Sequence, residues 1–462
     1  MRRIFTSEKV IAIALLSVIS AHLLVLTNIV FFPYPELFVY PYLVSKGLLP
    51  YKQIFDQHFP GLMFFPINLF TLGMKSSQAS FVLHLLIVAV NHMLLFVVAR
   101  KYFGSNIKAI LSNLVYFLWH PFLEGYVLWI DSFMPIFFLS AFYLLLKKDY
   151  IRSPALGIIT GLILGLATVF KQTTAPLFLF LFIYFLIKKM YKFSQYFVIG
   201  FMLPLTLMFV YFFKIGVVKD FFYWTVTFNV TTFAEMGRKF PSLFDLVKAG
   251  WVFGPAFLLV LINFWRKKID EKFLLLILFF SGSLAFIYAR FDFVHLQPVL
   301  VFLPLFIVQI ITVIPKRVVY ISLILYLLFS LYLLVPFYMW ASNKRTFFFG
   351  DYENRIAEKV IGYANGHDTV FAFGTTFHLY FLTDTLPPGR LFVFQFPWFM
   401  VEAEKKILQG IIIDPPKVVI RDKKSEVQGM NLVEYMPKIN LYIERYYKVV
   451  DNVEGIEIML RN

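Results

Sequence analysis

The chain contains no cysteine. That excludes disulfide staples, thiolate catalysis and cysteine-ligated metal, but it leaves the compartment open, because extracytoplasmic proteins can do without disulfides. Charge is also scarce: Asp, Glu, Lys and Arg make up 15% of the 462 residues, against about 25% in soluble domains. No glycine-rich phosphate loop, metal-spaced ligand cluster, low-complexity tract or internal repeat is present. What fills the sequence is apolar: 60% of residues are hydrophobic and 20% aromatic. A polar surface cannot cover such a composition, and apolar runs recur at the length of about 17–25 residues that a bilayer demands of a helix.

Hydropathy and charge together predict about eleven membrane helices, over residues 10–32, 79–99, 107–120, 130–146, 154–170, 173–187, 195–213, 247–265, 273–289, 294–314 and 318–338. The first run is too long for a signal-peptide core and lacks a small-residue cleavage site, so it is expected to be retained. Residues 61–74 (GLMFFPINLFTLGM) are apolar but short, and are read as an interfacial or half-inserted helix.

Basic residues set the orientation. Arg2, Arg3 and Lys9 precede the first run. Alternate connections then hold Arg100, Lys101 and Lys108; Lys147, Lys148 and Arg152; Lys188, Lys189 and Lys192; Arg266, Lys267, Lys268 and Lys272; and Lys316 with Arg317. Positive charge gathers on the cytoplasmic side, so the N-terminus is expected inside and the C-terminal region outside. This distribution accounts for the net charge of +16 without nucleic acid as a partner.

The acids and cations that break this pattern fall on the opposite face. Glu36, Asp56 and His58 lie in the first outer connection. Glu124 and Asp131 flank the second, and Lys171 ends the fifth run in VFKQTTAP. Arg290, Asp292 and His295 follow in YARFDFVHLQP. Glu36 stands among aromatics at the membrane boundary, where desolvation raises a carboxyl pKa and suits it to general-base work. Asp56 and His58 fit either a loop-stabilising hydrogen-bonded pair or a substrate contact. Asp131 fits a helix-capping acid or a catalytic one, and Glu124 is read as solvated. Lys171 fits a snorkelling lysine or a receiver for phosphate, a role for which the guanidinium fork of Arg290 is also suited. Asp292 and His295, three apart, fit partners for each other or for Arg290. A lone Asp-x-x-His does not make a metal site, and no metal or other cofactor is indicated.

Beyond about Trp340 the composition changes. Ile356, Val360 and Ile361 alternate with charges at helical spacing, VFAF (370–373) precedes Gly374-Thr375, and PKVVIRD (416–422) and residues 456–460 read as strands. A small α/β domain over 341–462 is predicted outside the membrane, next to a transmembrane domain over 1–340.

The organisation resembles the GT-C class of membrane glycosyltransferases, in the branch of protein O-mannosyltransferases and aminoarabinose transferases. The matching pieces are Glu36, the stretch GLLPYKQIFDQHFPG, Asp131, the FKQT turn at Lys171, the RFDFVHLQP segment and VFAFGTTFHLYFLTDTLPPGR. The resemblance implies inverting transfer of a sugar from a polyprenyl-phosphate donor to a lipid, glycan or protein acceptor, at the outer face of a plasma or cell membrane. It assigns Glu36 the place of the first-loop acid and general base, Asp131 the second acidic position, and Lys171 and Arg290 the donor phosphate. The first acid of the family is often Asp, and FDQHFPG departs from the commoner Lys-Pro-Pro-Gly form at His58. The rival reading is a transporter or flippase of a lipid-linked or small solute. Such proteins show repeated halves and ionisable residues at the bilayer midplane, whereas here ionisable residues gather at the ends of the runs.

Overall fold

The structure, a computed structural model, describes residues 8–313, 316–364, 368–374 and 376–462, with backbone alone for 312–313, 316–321 and 323. Arg2, Arg3, Thr375 and the side chains of Lys316 and Arg317 lie outside the described residues. Every one of the eleven apolar runs contains a helix. Among the described residues five helices are long and apolar enough to cross a membrane: Glu8–Thr27, Ser77–Phe103, Tyr191–Lys214, Leu243–Trp265 and Ile324–Ala341. The pair Phe293–Leu300 and Leu303–Ile311, bent by 56°, is long and apolar enough when taken together, as a broken span or a re-entrant loop would be. Ile130–Leu145, Pro154–Phe170 and Gln172–Ile187 are shorter apolar helices.

The chain divides into two compact units. The first comprises Met1–Phe32, Ser80–Leu207 and Lys239–Arg345. Its helices pack closely where the sequence supplies small residues. Gly157, Gly161 and Gly165 recur every fourth residue on the helix Pro154–Phe170 and meet the helix Tyr191–Lys214. A Cβ on Gly161 would lie 2.0 Å from the Phe197 carbonyl oxygen, and one on Gly200 would lie 2.1 Å from that of Ile158. Only a side chain of hydrogen permits this approach.

One buried polar series in this unit satisfies its members in turn. The Asn113 amide donates to Ala109 O at 2.9 Å, so its Oδ1 accepts from His92 Nδ1 at 2.7 Å. His92 Nε2 is then left to accept from His22 Nδ1 at 2.7 Å, and His22 Nε2 from His120 Nδ1 at 3.2 Å. Three buried imidazoles thus tie Glu8–Thr27, Ser77–Phe103 and the end of Asn106–Trp119 together, each used once as donor and once as acceptor where a partner exists.

The second unit comprises Pro33–Ala79, Met208–Arg238 and Thr346–Asn462. It contains a four-stranded mixed sheet in the order 370–373, 418–421, 456–461, 447–453. Val370–Phe373 runs parallel to Val418–Arg421, which pairs antiparallel with Ile456–Arg461. Both VFAF and VVIR are buried at all four positions, as expected of strands covered on both faces. The helix Asp351–Tyr363 buries Ile356, Ala357 and Val360; two of the three apolar residues its spacing singles out thus face inward, while Ile361 is exposed. The strand Tyr447–Val453 has no local signal in the sequence. It is the outer strand, and Lys448, Val449 and Val450 are exposed, so no apolar alternation marks it.

One expectation is corrected here. Residues 61–74 form a series of turns and contain no helix. Pro66 has no N–H to give to a helical ladder, and Gly73 adopts φ +97°, a left-handed conformation that ends regular structure.

Candidate active site

In the first unit the helix Ile130–Leu145 begins just after Trp129, and Asp131 stands in its first turn, where the helix N-terminus favours negative charge. Ser132 Oγ holds this start in place by accepting from Trp129 N–H at 3.3 Å and donating to Val127 O at 2.9 Å. Lys171 occupies an extended break (φ −153°, ψ 117°) between the helix Pro154–Phe170 and the 3₁₀ turn Gln172–Thr174. The break turns its side chain inward. Lys171 Nζ donates to Asp131 Oδ2 at 2.5 Å and lies 3.1 Å from His295 Nδ1. His295 Nδ1 is in turn 3.2 Å from Asp131 Oδ2. Asp131 is 0% exposed and Lys171 5%, so an ammonium, a carboxylate and an imidazole share one buried point.

Charge is balanced there, but hydrogen bonding is not. Asp131 Oδ1 is buried and accepts nothing among the described residues. A buried carboxylate oxygen without a donor costs about 1–3 kcal/mol or more, and such orphans in native structures mark places where another molecule binds or strain is held.

Asp292, which stands at the start of the turn Phe293–Leu296 that carries His295, gathers a second group of charges. Asp292 accepts from Arg290 Nε at 2.7 Å and from Lys239 Nζ at 2.5 Å. Burial opposes ionisation of Asp292, yet the lysine and guanidinium outweigh it and hold the carboxyl below its ordinary range. Asp292 therefore partners Arg290, and His295 turns to Asp131 and Lys171. Lys239, absent from the predicted site set, adds a second cation to this group. Glu124 is also corrected: it is partly buried, its Oε2 accepts from Val294 N–H at 2.8 Å, and Gln297 Nε2 donates to its carbonyl at 2.7 Å. Burial pushes its carboxyl up to about 7.

The remaining predicted residues belong to the second unit. Asp56 is fully used: Oδ2 accepts from Tyr40 OH at 2.8 Å, and Oδ1 from the backbone N–H and the ring Nδ1 of His58 at 2.7 and 3.0 Å. The loop-stabilising pair is what this geometry shows, and because a carboxylate only accepts, it fixes the His58 proton on Nδ1. Glu36 opens the helix Glu36–Ser45 at 8% exposure. Burial pushes its carboxyl up to about 7, with nearby Asp56 adding to the rise and His58 and its own backbone N–H opposing it. Its Oε2, like Asp131 Oδ1, is buried without a partner among the described residues.

The structure thus brings Asp131, Lys171 and His295 into one cluster, Arg290 and Asp292 into a second, and Asp56 and His58 into a third in the unit that holds Glu36. Among the described residues no group of three or more histidine, aspartate or glutamate side chains gathers into a metal-holding set.

No family model matches the sequence, and no curated protein does. Solved structures do match. ArnT from Cupriavidus metallidurans bound to undecaprenyl phosphate superposes with a TM-score of 0.62 at 11% identity, over 98% of this chain and 98% of that one. The same protein in its apo state gives 0.61 at 12% identity, over 97% of each chain. At this identity what is shared is the fold. The chain has a GT-C-like fold, as the motifs implied, and is a multi-pass membrane protein.

Proposed function

We propose that this chain is a glycosyltransferase that moves a sugar from a polyprenyl-phosphate donor to an acceptor hydroxyl or phosphate on the outer face of the membrane, with inversion. The observation that carries the reading is the pair of orphaned acids. Glu36 Oε2 and Asp131 Oδ1, one in each unit, are both buried and both lack a donor among the described residues, as substrate-accepting oxygens would before substrate arrives. Support from the fold is separate: the structure with which it is shared was solved with undecaprenyl phosphate bound.

The chemistry assigns each residue a role. The Glu36 carboxylate takes the proton from the acceptor, whose oxygen attacks the anomeric carbon as the bond from that carbon to the phosphate oxygen breaks. A base with a pKa near 7 is matched to this step at neutral pH and contributes about 10²–10⁴ in rate. Asp131 orients the acceptor through Oδ1 while its Oδ2 positions Lys171. Negative charge grows on the departing polyprenyl phosphate, and fixed cations in a poorly hydrated place stabilise it, commonly the largest catalytic effect. Lys171 and Arg290 serve there, with His295 and Asp292 setting their positions. Asp56, its oxygens already engaged by Tyr40 and His58, fixes the orientation of His58, which completes the substrate contacts. In this reading the eleven runs all cross the bilayer, the N-terminus is cytoplasmic and residues 341–462 form a soluble extracytoplasmic domain.

The test is turnover. Purified protein supplied with a panel of radiolabelled polyprenyl-phosphate sugars and a membrane extract as acceptor should release free polyprenyl phosphate and label the acceptor with inverted anomeric configuration. Failure to release polyprenyl phosphate from any donor would overturn the proposal.

A further inference from the structure

Helix ends in the first unit, among them the end of Ile130–Leu145 away from Asp131, form a cavity of about 470 Å³, within the size range of ligand sites. Lys101 comes from the last turn of Ser77–Phe103, Lys147 and Lys148 from the connection after Ile130–Leu145, and Lys272 from the first turn of Glu271–Ser283. Three elements far apart in sequence therefore deliver four ammonium groups to one concavity. Two acids also line it, Asp149 and Glu271. Glu271 makes no ion pair with the lysines, its Oε1 accepting instead from the hydroxyls of Tyr150 at 2.9 Å and Tyr184 at 3.2 Å, and the four lysines still outnumber the two acids around the cavity. Among the described residues none of the four lysines makes an ion pair, and Lys147 has only a ring contact, 5.8 Å from the Tyr143 centroid.

Scattered loop lysines would satisfy the orientation rule equally well and need no cavity. Here they surround one, above a floor of Leu145, Leu146 and Leu275, all buried. Cations around an apolar floor at the end of membrane helices match a molecule with a phosphate at one end and hydrocarbon at the other, and basic pockets of this kind bind anionic headgroups. A zwitterionic lipid offers the same phosphate but carries its own cation, which four lysines repel.

We propose that this lysine-lined pocket binds the phosphate-bearing headgroup of an anionic phospholipid on the cytoplasmic face. It is a site separate from the one proposed for transfer, so each can fail alone. The test uses the full chain, purified in non-ionic detergent and stripped of lipid, and titrated with dioctanoyl phosphatidylglycerol, dioctanoyl phosphatidylcholine or inorganic phosphate, with binding read by native mass spectrometry. Phosphatidylglycerol should bind at least about tenfold more tightly than phosphatidylcholine. Each lysine near an anionic headgroup is worth about a fivefold factor. The triple variant Lys101→Ala, Lys148→Ala, Lys272→Ala should therefore weaken phosphatidylglycerol about a hundredfold and leave phosphatidylcholine unchanged, and the corresponding Arg triple should restore binding. Equal affinity for the two lipids, or phosphatidylglycerol binding that survives the Ala triple, overturns the site. Displacement of phosphatidylglycerol by an equal concentration of inorganic phosphate overturns its assignment to lipid.

Discussion

Glu36 illustrates how one residue can oppose stability and serve chemistry. Its folded pKa of about 7 lies above the ordinary 4.5, so the folded state holds the proton more tightly than the unfolded chain. Stability is then undiminished below about pH 4.5 and falls as pH rises toward 7, where the buried group must ionise. Glu36→Gln should therefore gain up to about 3 kcal/mol relative to wild type at pH 8, little at pH 4, while transfer falls about 10²–10⁴-fold. Unfolding curves at the two pH values check the first half; an acid with a structural role alone would lose stability in the variant. The Asp131–Lys171 pair makes the opposite case. Lys171→Met strands a buried carboxylate and should cost about 3–5 kcal/mol, whereas Lys171→Met with Asp131→Asn should recover most of it, as denaturant titration of both variants will show. From the sequence, each of these residues was legible as an ionisable group at the end of an apolar run. Their pairing was not, because a contact across 40 residues depends on how helices pack. Glu124 was read as solvated because the turn that buries it against Val294 has no local signal.

At the scale of elements, apolar length located a helix in each of the eleven runs, and five of those helices are long and apolar enough to cross a membrane among the described residues. The close crossing of Pro154–Phe170 with Tyr191–Lys214 was also written in the sequence, as glycines at every fourth place, and it went unread beside the stronger hydropathy signal. Gly161→Ala should cost about 1–3 kcal/mol through forced separation of the two helices. Gly250, in the helix Leu243–Trp265 with no atom within 4 Å of an added Cβ, should instead accept Ala with a gain of about 0.5–1 kcal/mol. Thermal unfolding in detergent separates the two outcomes. What local pattern missed were the elements whose form is set by neighbours: the outer strand Tyr447–Val453, and the turns of 61–74, where apolar content suggested a helix that proline and glycine prevent.

For the whole molecule, the lack of cysteine becomes an experimental advantage, because any introduced thiol is the only one. Lys424 and Lys268 are both exposed and are predicted on opposite faces of the membrane. In intact cells Lys424→Cys should react with an impermeant maleimide and Lys268→Cys only after permeabilisation; the reverse pattern would invert the proposed topology. The GT-C-like fold was legible from loose motifs spread over nearly the entire length, whereas the division into two units was not, because the second unit is assembled from three separate segments. The proposed activity rests on the two acids with unpartnered oxygens. Its most direct test is the rate of sugar release from a polyprenyl-phosphate donor by wild type, Glu36→Gln and Asp131→Asn at pH 8. Wild type should turn over, with both variants folded and at least about a hundredfold slower; full turnover in both variants would contradict the catalytic roles given to these acids.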